Sequence, residues 1–204
     1  MRTTAAFGAG LACFLVQHVS ATTEQIKWTM CQQNATIPIE CGTLAVPLDY
    51  TDIEHGGTLN LELVRVNATK KEKKGSIIFN PGGPGEPGRN HLTGESGRDL
   101  LRLTGGNFDL VTFDPRGTGQ TMLFECGEIP EDDEYEETSS LPSLLMSMLS
   151  KGKRRARQCL STQGVRGELI GTVFVARDMM HIVDALGGDR LLNYWGLSRA
   201  TILQ

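Results

Sequence analysis

After its first twenty or so residues the sequence has no apolar run approaching the roughly 20 residues that a spanning helix needs, so nothing beyond that start indicates an integral membrane protein. It has no excess of positive charge. Twenty Lys and Arg stand against 24 Asp and Glu, a net charge of −4, which removes the general electrostatic case for nucleic-acid binding. No two cysteines stand in C-x-x-C spacing, and scattered cysteines make a poor zinc site. Neither a metal nor another cofactor is therefore expected. There are four histidines, at 18, 55, 91 and 181, and no internal repeat. What is present is 204 residues, 39% hydrophobic and 22% charged: the size and composition of one globular domain.

The apolar start reads as a secretory signal over residues 1–21. Arg2 is a thin positive region, Ala5 to Val16 is uncharged and apolar, and Val19-Ser20-Ala21 supplies small residues for cleavage. Residues 22–204 are then the exported domain, with no membrane attachment once the signal is removed. Cys13 leaves with the signal. Cys31, Cys41, Cys126 and Cys159 remain, an even number suited to an oxidising compartment. Three pairings are possible, and proximity in sequence favours Cys31–Cys41 and Cys126–Cys159. Asn34-Ala-Thr36 and Asn67-Ala-Thr69 are glycosylation sequons. All of this agrees with an extracellular location.

Along the chain, 41–50 looks like a first strand and 58–66 a half-buried one with Leu59, Leu61 and Leu63 at period two. The short apolar runs 75–80 and 108–114 suit buried parallel strands, with a weak helix ending at 99–106 between them. Glu128 to Glu137 contains seven acids and Lys151 to Arg157 five bases. Both runs read as solvated surface. Pro130 and Pro142 argue against one uninterrupted element, although 143–149 could form a short helix. The stretch from about 128 to 160 fits a cap or lid insertion. Regular structure returns with Val173, Phe174, Ala176, Met180, Val183 and Leu186 at helical spacing, stopped by Gly187-Gly188. On this helix His181 and Asp184 read as surface residues. An apolar strand, 191–196, follows. Alternating strands and helices predict an α/β fold with a mainly parallel sheet and helices on both faces.

Two glycine segments carry the functional signal. "NPGGPGEPG" (80–88) contains Gly83-x-Gly85-x-x-Gly88 after a strand, and Asp114 ends the next strand, which imitates a dinucleotide fingerprint. A phosphate cradle works through backbone N–H groups, and Pro84 and Pro87 have none to donate. Arg89-Asn90 also stands where a phosphate-binding loop needs Lys-Ser/Thr. The competing reading is an oxyanion hole: fixed N–H donors, on backbone that glycine lets approach a carbonyl and proline keeps stiff, stabilise the negative oxygen of an acyl-transfer intermediate. In nucleophile-elbow enzymes one donor follows the serine and another lies in a loop after an earlier strand. About 115 residues after the first loop comes Gly196-Leu197-Ser198-Arg199-Ala200, between an apolar strand and a helix start. Gly196 fits the G-x-S-x-G pattern, and Ala200 replaces its second glycine.

The segments "CGTLAVPLDY", "NPGGPGEPG", "FDLVTFDPRGTGQT" and "LNYWGLSRAT", in that order, resemble the secreted α/β-hydrolase peptidases of the tripeptidyl aminopeptidase and proline iminopeptidase type. The resemblance runs from about Cys31 to the last residue and corresponds to the N-terminal portion of such enzymes. It implies an α/β-hydrolase fold, Ser198 as acyl-enzyme nucleophile, and an oxyanion hole from Gly82, Gly83 and the Arg199 N–H. It also implies a peptide substrate cleaved near its free N-terminus, and no cofactor. Arg199 and Ala200 depart from the aromatic residue and glycine usual there. The family's order is Ser, then acid, then His. No acid or histidine of this chain matches those positions, so the chain alone is expected to be inactive. The other reading is a secreted non-catalytic binding protein built on a hydrolase fragment.

Overall fold

The computed structural model describes residues 25–32, 37–93, 95–128 and 140–203. The expected signal segment, Asn34 and most of the acidic run lie outside the described residues.

Strand β1 (Thr29–Gln32) pairs antiparallel with β2 (Ile39–Pro47), and β2 forms a nine-position antiparallel ladder with β3 (Thr58–Val66). β3 runs antiparallel to β5 (Asp109–Phe113), β5 parallel to β4 (Ser76–Asn80), and β4 parallel to β6 (Tyr194–Gly196). The order across the sheet is β1-β2-β3-β5-β4-β6. Following these pairings, β2, β5, β4 and β6 point one way, and β1 and β3 the other. The sheet is therefore mixed, and its parallel half is β5-β4-β6.

Alternation along each strand builds two cores, because successive side chains leave a strand on opposite faces. Leu44, Val46, Leu61, Leu63, Ile78, Val111 and Phe113 form one face, covered by Val175, Met179, Ile182 and Val183 of helix α4 (Thr172–Leu186). Ile39, Val64, Val66, Phe79 and Leu110 form the other, with Leu92 of helix α1 (Arg89–Leu92) and Leu101 of helix α2 (Glu95–Leu103). Each large aliphatic side chain so enclosed contributes about 1.5–3 kcal/mol. Helices thus lie on both faces, as the α/β reading requires. β5, the most central of the parallel strands, is buried at every position.

Two elements differ from expectation. The buried stripe of α4 is Val175, Asp178, Met179, Ile182 and Val183, whereas Val173 is 67% and Met180 45% exposed. The helix carries two adjacent apolar stripes, and the one that contains a charge is the one turned inward. Residues 141–163 form a single 23-residue helix, α3 (Leu141–Gln163), not a short one. Pro142 begins it: proline suits the first turn, where its missing N–H has no partner to lose. The basic run lies on this helix, which buries none of its residues.

Cys31 is bonded to Cys41 and Cys126 to Cys159. The second bridge ties α3 to the segment after β5. Among the described residues no helix is long and apolar enough to cross a membrane.

Candidate active site

The strand order fixes where a site can form. From β4 the chain crosses through α1 and α2, on one face, to β5. It then returns through α4, on the other face, to β6 on the far side of β4. Connections that leave neighbouring strands toward opposite faces open a crevice at the strands' carboxyl ends. The segments at that crevice are 81–88, after β4, and 197–200, after β6.

Ser198 is the first residue of the 3-10 turn Ser198–Leu203, directly beyond β6 and Leu197, and its φ is +51°. A non-glycine residue in that region carries strain and is held there by its surroundings. The holding contacts are visible. Leu197 N–H donates to the Asn80 carbonyl (3.0 Å), and the Thr201 hydroxyl to the Ser198 carbonyl (2.8 Å). Tyr194, one turn of chain before the serine, donates its hydroxyl to the Ala200 carbonyl (3.0 Å). Burial pushes the Tyr194 phenol up to about 12, so it remains a donor at any physiological pH. Gly196 is small for a local reason: a Cβ there would lie 2.6 Å from the Tyr194 ring. Ala200 is buried, and the Ser198 side chain is exposed at the mouth of the crevice.

The glycine segment meets this turn directly. Gly82 has φ +93°, and a Cβ on it would fall 2.4 Å from the Leu197 carbonyl and 3.1 Å from Ser198 Cβ. Its glycine is required twice, by conformation and by contact. Its N–H, however, donates to Asn80 Oδ1 (3.0 Å), so Gly82 does not present the free donor that the family resemblance implied. The N–H groups of Gly83 and Arg199 have no acceptor among the described residues. Asn80, 4% exposed, is the residue that sequence reasoning missed. Its side chain pins the glycine loop while its carbonyl pins the serine turn. An Asn at a strand end before Pro-Gly is an Asx-turn signal that could have marked it.

A second buried constellation braces the crevice. Asp114, fully enclosed, accepts the N–H of Arg89 and of Gln120 (3.2 Å each). It cannot reach a ribose, which adds to the case against nucleotide binding. Arg116 and Asp178 form an enclosed ion pair with both side chains at 0% exposure: Nε to Oδ2 is 2.6 Å and Nη2 to Oδ1 2.8 Å. The remaining guanidinium donors go to the carbonyls of Pro47, Leu48 and Leu169. All five N–H groups of Arg116 are thereby used. The Tyr50 hydroxyl donates to Asp178 Oδ1 (2.8 Å), and the Tyr50 and Phe174 rings lie 5.0 and 5.2 Å from the guanidinium. Burial, with the Asp178 charge beside it, holds the Tyr50 phenol well above its usual range.

Between these walls lies a cavity of about 150 Å³, lined by Asn80, Gly82, Gly83, Glu86, Arg116 and Arg199 among others. The three described histidines are engaged elsewhere. His55 stands by Asp52, His91 has Glu86 at 3.7 Å, and His181 stacks on Tyr50. Asp184 pairs with Arg190. Among the described residues the Ser198 hydroxyl has no histidine partner.

No family model matches the chain. Known proteins do. The tripeptidyl aminopeptidase of Streptomyces lividans is 30% identical over 186 residues, covering 87% of this chain and 34% of that protein. Serine protease Hip1 of Mycobacterium tuberculosis is 34% identical over 188 residues, covering 87% and 35%. Carboxylesterase B of the same organism is 34% identical over 170 residues, covering 76% and 31%. The chain is thus related to proteins named as an aminopeptidase, a serine protease and a carboxylesterase, and it spans about a third of the length of each.

Proposed function

We propose that this chain carries the nucleophile and the oxyanion donors of a secreted serine hydrolase, an aminopeptidase that releases residues or short peptides from free N-termini. One observation supports this above the others. Ser198 is held at φ +51° at the end of β6, with Gly82 packed against it and against the Arg199 backbone nitrogen, and with Gly83 next in the same loop. A strained strand-to-helix turn with a serine at its apex is the nucleophile-elbow arrangement of α/β-hydrolases. In the reaction a base takes the Ser198 proton, Oγ attacks the scissile carbonyl, and the oxyanion is received by the two N–H groups. The amine leaves with the proton, and water then releases the acyl group from Oγ. The base and its orienting acid come from outside residues 22–204, in keeping with the order Ser, acid, His. Residues from about 128 to 160 begin a lid, for which α3, unburied along its length, is suited. Export accounts for both disulfides, with glycans on Asn34 and Asn67.

The test is labelling with a fluorophosphonate probe. The full-length gene product is expected to label at Ser198, and Ser198→Ala to abolish it. Chain 22–204 alone is expected not to label and not to cleave aminoacyl amides. A full-length product that does not label overturns the hydrolase reading, and stoichiometric labelling of 22–204 overturns the external base. Equal cleavage of free and N-acetylated substrates leaves the hydrolase but overturns the aminopeptidase.

A further inference from the structure

We infer that the Arg199 side chain is a specificity determinant that takes a carboxylate on the substrate; this rests on the hydrolase reading above. Arg199 contributes to the cavity wall immediately after the nucleophile, and it is exposed there. The other lining side chains of either charge are accounted for. Arg116 directs all five of its donors to Asp178 and three carbonyls. Glu86, also in the lining, has His91 at 3.7 Å. The Arg199 guanidinium has no hydrogen bond, ion pair or ring contact among the described residues. Of the two arginines that line this cavity, it is the one whose charge is not answered among the described residues.

The backbone makes its place fixed. Its backbone nitrogen lies against Gly82, 3.3 Å from where a Cβ on that glycine would stand, and the next residue, Ala200, is buried and bonded at both its N–H and its carbonyl. A guanidinium anchored one residue from the nucleophile can reach groups only a short way from the scissile carbonyl. Its planar fork matches a carboxylate with two parallel hydrogen bonds, which is stronger and more selective than a point charge. The fitting substrate chemistry is a carboxylate close to the cleaved bond. Two sources are possible: an acidic side chain on the acyl part, or the free carboxylate of a short leaving group. An uncharged isostere would leave the guanidinium to water and lose that pairing.

The experiment uses the full-length product and matched pairs of substrates. One pair carries Glu or Gln in the acyl part before a common leaving group. The other carries a common acyl part before a one-residue leaving group with a free or amidated carboxyl. Wild type is expected to favour the carboxylate member of one pair by about tenfold in kcat/KM. Arg199→Gln is expected to reduce that ratio to near one, and Arg199→Lys to keep part of it. The preference is also expected to shrink with added salt. Which pair responds identifies the source. A ratio unchanged by Arg199→Gln, or no preference in either pair, overturns the inference while Ser198 labelling still stands. Loss of Ser198 labelling in wild type removes the hydrolase reading and overturns the inference with it. The ratio compares two substrates on one protein, so a general loss of folded enzyme in a variant does not imitate the result.

Discussion

Replacing Asp178 with leucine is expected to cost this fold about 3–5 kcal/mol, because it leaves the Arg116 guanidinium buried without its counter-charge. Both side chains are at 0% exposure, so water cannot enter to substitute. Arg116→Met is expected to cost a similar amount, since Asp178 would keep only the Tyr50 hydroxyl at 2.8 Å. The double variant removes both charges together. It still deprives the carbonyls of Pro47, Leu48 and Leu169 of their donor, at about 1–3 kcal/mol for an unsatisfied buried group. Its cost is therefore expected to be close to that of one single variant, giving a coupling energy of about 3–5 kcal/mol, at or above the upper end for residues in contact. The assay is urea unfolding of the purified, disulfide-bonded protein, followed by tryptophan fluorescence from Trp28 and Trp195. At typical slopes of about 1–3 kcal/mol per molar urea, each single variant lowers the midpoint by roughly 1–5 M. Against a usual domain stability of about 5–15 kcal/mol this is a large share. Should the singles not accumulate, Tyr50→Phe is the milder probe, expected to cost about 1.5–3 kcal/mol because its hydroxyl donates to a carboxylate. A single variant costing under about 1 kcal/mol, or a double equal to the sum of the singles, would refute the reasoning.

Three further outcomes are expected. Ser198→Gly should be about 1 kcal/mol more stable than Ser198→Ala, because glycine accepts φ +51° without strain; equal melting temperatures would mean the turn stores no strain. The folded Tyr194 phenol ionises at about 12 and the unfolded one near 10, so the unfolded state loses its proton first and stability falls as pH rises from 10 toward 12. Tyr194→Phe is expected to flatten that fall, and an unchanged slope in alkaline unfolding would contradict the burial of the ring. Peptide mapping of the purified, non-reduced protein is expected to give Cys31–Cys41 and Cys126–Cys159 peptides, and a Cys41–Cys126 peptide would refute the arrangement.

The sequence showed most where the determinant is local. β3 occupies the residues whose period-two leucines marked it, and the turn at Ser198 follows from small residues after an apolar strand. α4 was found, but its inward stripe was not. Asp178 makes that stripe look like a surface on periodicity alone, and it becomes a core position only through Arg116, 62 residues earlier. Asn80 escaped for a similar reason, since its carbonyl is needed by Leu197, more than a hundred residues later. The length of α3 was hidden by reading Pro142 as a breaker, when proline at a helix start is compatible with everything after it. Propensities and spacing report nearest neighbours. Buried polar pairs are set by where the sheet brings distant segments together.

The shortness of β6 has a consequence for when the turn at Ser198 can form. β2 and β3 are adjacent in the chain and share nine paired positions, so they can form early. β6 offers three residues, and among the described strands it pairs only with β4, about 115 residues upstream. Few bonds must repay a long closure, so this strand belongs to the last elements acquired and the first to open. The left-handed backbone at Ser198 exists only while β6 is seated beside β4 and Asn80 holds both loops. A chain in which β6 has not docked therefore lacks the left-handed turn at Ser198, whatever the state of the rest of the sheet.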